Sequence, residues 1–63
     1  METYYYVIYM RYGPARKSGG FSGAGAEQSA ERAARSEFEN LQRMFTGQVE
    51  GPTRYEVRRG SPY

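Results

Sequence analysis

The side chains in this sequence that could do more than fill space are seven tyrosines, eight arginines, one lysine and seven glutamates, with no cysteine, histidine or aspartate. Without cysteine and histidine there are no thiol nucleophiles, no soft zinc ligands and no imidazole to act as acid or base near neutral pH. The glutamates are scattered and form no ligand-like cluster, so neither a metal site nor a cofactor is expected. Glu37 alone interrupts an apolar helical stripe. A lone carboxylate with no second acid or base to work with points to an internal contact or an interface, not to catalysis. No catalytic residue is assigned, and the chain is expected not to be an enzyme.

Gly20 and Gly25 stand between an extended segment and a helical one, the order found around phosphate-binding loops. The supporting residues are missing: Ala26 and Glu27 follow the second glycine where lysine and a hydroxyl would be needed, and Glu27 repels an anion. The glycines therefore read as a flexible connection.

What the composition does offer is recognition chemistry. Tyrosine buries a large rigid ring and keeps a polar tip, and arginine forms flat, forked contacts with carboxylates, phosphates and rings. The candidate contact residues are Tyr5, Tyr9, Arg11, Arg16 and Lys17 in the first part of the chain, and Arg54 and Arg58 near its end. A net charge of +2 is too small to require a nucleic-acid partner, though Arg11, Arg16 and Lys17 beside tyrosines could serve one.

These residues need elements to hold them. Residues 3–12 are aromatic and β-branched without Gly or Pro and predict one long strand. Its even positions, Tyr4 to Tyr12, are all apolar; its odd positions are apolar only in the middle. Such a strand is either central in a sheet or covered on both faces. Residues 13–23 form a glycine-rich loop that could hold a short extra strand at 16–22. Residues 24–45 predict a helix whose apolar arc takes in Ala30, Ala34, Phe38, Leu41 and Met44, with Glu31, Arg35, Glu39 and Arg43 alternating in sign on the other side. Thr46-Gly47 marks its end. Residues 53–59 alternate as a half-buried strand, with a frayed tail from Arg59 onward.

The expected fold is therefore a single α+β domain: a small β-α-β unit, with the helix on one face of a two- or three-stranded sheet. Two strands joined by a helix should run parallel through a right-handed crossover unless the loop adds an antiparallel neighbour. Leu, Ile, Val and Phe together supply only eight of the 63 residues, so the core should be thin. Bare sheet edges and a thin core favour a homodimer through an edge, or docking on another protein. With no secretory leader pattern and no apolar run near 18 residues, no membrane association is expected and the cytoplasm is the default compartment.

Val7–Tyr12 resembles the first conserved strand of an RNA-recognition motif, and Lys17-Ser18-Gly19-Gly20-Phe21 the second. In that family a helix and a further strand separate the two, and here only a few residues do, so the likeness fails on order. In size and surface character the chain is similar to the small inhibitors that phages and mobile elements carry against host defences, anti-CRISPR proteins among them. That likeness implies a protein-binding module that occludes a partner's surface. The alternative is a small basic nucleic-acid-binding protein, as a dimer, that uses its tyrosines and arginines.

Overall fold

A computed structural model describes residues 2–47 and 49–62. It contains strands β1 (Thr3–Met10), β2 (Arg16–Lys17) and β3 (Phe21–Ser22), helix α1 (Ala26–Met44) and strand β4 (Pro52–Arg59). The helix packs on one face of a four-stranded antiparallel sheet, a small α+β fold. Among the described residues no helix is long and apolar enough to cross a membrane.

β1 is the centre of the sheet. β4 pairs with it from Tyr4 to Met10 and fills one edge, so β2 and β3 share the other, opposite Val7–Ile8 and Thr3–Tyr4 respectively. The greasy two-sided pattern of β1 is that of a central strand. It ends at Met10, two residues earlier than expected, although Arg11 N–H still donates to Gly51 O at 3.1 Å. The glycine loop holds two short strands in place of one. Ser18 bridges them: its N–H donates to Tyr6 O at 3.0 Å, and its hydroxyl accepts from Tyr6 N–H at 2.9 Å. The side chain thus stands in for a backbone carbonyl where Gly19 and Gly20 bulge out opposite Tyr5.

The exception left open for the loop is the one that occurs: β2 and β3 add antiparallel neighbours to β1, and β1 and β4 are themselves antiparallel. β2 and β3 carry the chain back along β1 before the helix starts, so α1 returns it to the far end and β4 retraces β1 backwards. The crossover relation survives between β3 and β4, which run parallel to each other on either side of β1. The helix fits this task, since 19 residues span about 28 Å at 1.5 Å each, close to an eight-residue strand at about 3.3 Å each.

Helix α1 is preceded at its N-cap by Gly25, whose φ of 74° is the left-handed conformation that glycine adopts without a Cβ penalty, and no side chain caps it. At the other end the Thr46 hydroxyl donates to the Gln42 and Arg43 carbonyls. Of the alternating charges on its outer face, Glu31 and Arg35 meet at 3.6 Å, while Arg43 bonds to Asn40.

The core is thin. Buried apolar residues are Val7, Ile8, Ala26, Ala30, Ala34 and Leu41, and Ile8 is the largest side chain that is fully enclosed. Alanines let the helix backbone come close to the sheet, and half-buried rings fill the margins. Phe38 packs on Tyr55 with ring centroids 5.5 Å apart, and Phe21 on Tyr6 at 6.2 Å. Met44, expected in the apolar arc, is 71% exposed, because Phe38, Leu41 and Phe45 set the inward side of the last turns and Met44 falls at its margin. The tail is not free either: Pro62 is buried, and Gly60 N–H donates to Thr3 O at 2.7 Å.

Two substitutions separate these roles. Ile8→Ala should cost roughly 2–5 kcal/mol, most or all of what a domain this small commands, and should leave little cooperative transition in urea. Met44→Gln should shift the midpoint by less than about 0.5 kcal/mol.

Candidate functional site

The pleat of β1 sorts its side chains. Even residues Tyr4, Tyr6, Ile8 and Met10 share the helix side with Phe21, Tyr55 and Val57, while the odd residues share the other face with Ser22, Lys17, Arg54, Glu56 and Arg58. Among the described residues no helix or strand covers that second face, and only at its Thr3 end does the tail reach it, where Pro62 lies against Gly20. Even so, Val7 at its middle is only 7% exposed, because it is hemmed in by Tyr5 and Tyr9 along the strand and by Lys17 and Glu56 across it.

A polar cluster organises this open face. The Tyr9 hydroxyl donates to Glu56 Oε1 at 3.1 Å and accepts from Arg58 Nη2 at 2.8 Å. Arg58 Nε bonds to the same carboxylate, and Arg54 Nη1 reaches its other oxygen at 3.2 Å. The Arg54 guanidinium also stacks over the Tyr9 ring, 4.0 Å from its centroid, a cation–π contact. Glu56 is thus held by two guanidiniums and a phenol. Its carboxyl is lowered from 4.5, chiefly by the Arg58 hydrogen bond, with further help from Arg54 and Tyr9. Arg58 is held more firmly protonated, first by Glu56 and next by the Tyr5 hydroxyl. On one side of Tyr5 stands Arg58; on the other the Gly19–Gly20 bulge brings no side chain of its own, and the Thr3 side chain and the buried Pro62 lie against Gly20 there.

The structure divides the residues singled out from sequence. Tyr5, Tyr9, Lys17, Arg54 and Arg58 share the open face. Arg16 does not: it pairs with Ile8, one step from Lys17 and therefore on the helix side. There Glu37, half-buried, faces Tyr6, whose hydroxyl is raised first by burial and then by Glu37, with Arg16 opposing. Glu37 thus belongs to the helix–sheet layer and not to the open face. Arg11 lies beyond the end of β1, beside Val49, Gly51 and Pro52. Sequence reasoning missed Glu56. The signal was available, because Glu56 is the one acidic residue between Arg54 and Arg58 at strand spacing.

The face is flat. Among the described residues no three acidic, histidine or cysteine side chains converge on a metal position, and the concavities found are shallow grooves such as that of about 430 Å³ along Glu39, Gln42, Arg43 and Thr46 on the helix exterior. Flat, aromatic and charged surface suits recognition of a large partner better than enclosure of a small molecule. Compared with family models, with curated proteins and with solved structures, the chain matches none.

The sign of the Glu56 shift sets a pH dependence. A carboxyl lowered in the folded state contributes order that is fully present above its unfolded value near 4.5 and is lost as pH falls through the lower folded value. A carboxyl-detected NMR titration should place the Glu56 midpoint below 4.5, and Arg58→Ala should move it upward. An unchanged midpoint in that variant would remove Arg58 as the cause.

Proposed function

We propose that this chain is a small non-enzymatic binding module of the cytoplasm that lays the helix-free face of its sheet against a protein partner and occludes the surface it covers. The supporting observation is the ordered Tyr9–Arg54–Glu56–Arg58 cluster. Its side chains are already locked by mutual hydrogen bonds and ring stacking, so little rotamer freedom is lost on binding. Tyrosine and arginine in such an arrangement are the residues that dominate protein interfaces. Lys17, Arg54 and Arg58 against Glu56 leave the face net positive, which favours an acidic partner surface.

The nucleic-acid reading draws support from Tyr5 and Lys17, an aromatic ring and a cation on the same open face. Tyr9 speaks against it, because Arg54 already occupies a face of its ring. The two readings part on salt: each phosphate neutralised would add roughly 0.7–0.9 to the slope of log affinity against log salt, whereas an aromatic protein interface is much flatter.

Capture from host lysate with and without nuclease, followed by affinity measurement on the recovered partner, tests the proposal. Tyr9→Ala should weaken binding about tenfold or more, as loss of a central interface aromatic does, with the far-UV circular dichroism unchanged. Arg16→Ala, on the opposite face, should leave affinity within about twofold. Equal affinity of Tyr9→Ala and the parent chain, or capture abolished by nuclease, would reject this reading.

A further inference from the structure

The two edges of the sheet are unlike. The β2 and β3 side is broken by Ser18, Gly19 and Gly20 into pieces of two residues each, too short to template another strand. The β4 side runs for eight residues, Pro52–Arg59, with a bulge near its start where Thr53 is the extra residue and its hydroxyl donates to Tyr9 O at 3.1 Å. The Gly60 N–H bond to Thr3 O sets the phase of the β1–β4 ladder. Arg54, Glu56 and Arg58 direct their backbone groups inward to Tyr9, Val7 and Tyr5, so the N–H and C=O groups of Tyr55, Val57 and Arg59 point out from the edge.

We infer that a second copy of this chain pairs antiparallel along that edge, about a two-fold axis at Val57. The outward phase allows only registers in which odd residues of β4 meet odd residues, and side-chain charge selects among them. An axis at Glu56 would set the two Glu56 carboxylates against each other and Arg54 against Arg58. An axis at Arg58 would oppose two guanidiniums. An axis at Tyr55 would draw the Thr53 bulge into the ladder. With the axis at Val57, Glu56 faces Arg58 of the partner subunit, and by symmetry Arg58 faces the partner's Glu56. On the helix side Tyr55 then meets the partner's Arg59, and the two Val57 side chains meet each other. This register stays clear of the bulge and leaves no like charges opposed.

The resulting sheet runs through both subunits with β4 against β4 at its centre, and the two open faces become one surface. The dimer also covers the bare edge of a domain whose core, among the described residues, holds six buried hydrophobic side chains besides Pro62.

The test is a charge exchange read by sedimentation equilibrium. The parent chain should sediment at twice 7.2 kDa at about 100 µM, a concentration that reveals even weak pairing. Glu56→Arg and Arg58→Glu should each raise the dissociation constant about tenfold or more, since each opposes like charges twice across the axis. An equimolar mixture of the two variants should recover the dimer, because only the Val57-centred register then pairs every position 56 with an opposite charge at position 58. Val57→Pro removes an outward donor and no bond to β1, and should give a folded monomer whatever the charge variants do to the open face. A monomeric parent chain, a Val57→Pro chain that still dimerises, or folded charge variants that fail to recombine would each overturn the inference.

Discussion

Everything on this molecule's surface follows from the two-residue period of β1. One run of aromatic and branched residues is divided by the pleat into a helix-facing row of Tyr4, Tyr6, Met10 and the fully enclosed Ile8, and an open row of Thr3, Tyr5, Val7 and Tyr9. The same alternation governs the backbone. Even residues of β1 bond to the β2 and β3 side and odd residues to β4, and this in turn decides which groups of β4 are left pointing outward. A register slip of one residue would put Ile8 in water and Tyr9 under the helix, and would dissolve the core and the cluster together.

The strand, helix and closing strand were readable because each carries its own period over many residues. The direction of β4 was not, since it turned on whether the glycine loop reversed the chain, and strands of two residues have no periodicity to detect. Arg16 and Lys17 show the same limit in miniature. Adjacent in sequence, they look like one basic patch, yet once Arg16 pairs with Ile8 the pleat places them on opposite faces.

Glu56 was passed over for a physical reason. Read along β4 it is one more charge on an alternating polar face, and its role depends on Tyr9, forty-seven positions away. Only the antiparallel pairing of Val7 with Glu56 brings the carboxylate diagonally next to that phenol, and only then do Arg54 and Arg58 gain a common acceptor. Two guanidiniums on one edge strand would repel each other; a carboxylate between them turns the repulsion into a rigid array. The surface that results is neither a solvated charge run nor a bare aromatic platform.

A chain with so few aliphatics gains area by using tyrosine, and tyrosine tolerates being half buried because its hydroxyl keeps a partner or water. That solution leaves rings at the surface of the folded state, where Tyr5 and Tyr9 remain on the open face. Its remaining burial is available along two perpendicular directions: out of the open face, and within the plane of the sheet beyond β4. The two do not compete. Pairing along β4 engages backbone groups in the sheet plane and keeps Tyr5, Tyr9 and Lys17 presented on the face. A paired sheet would offer two copies of that face in fixed relation, so a partner with repeated acidic surface would be held by both at once, with an effective concentration for the second contact that a single copy cannot provide.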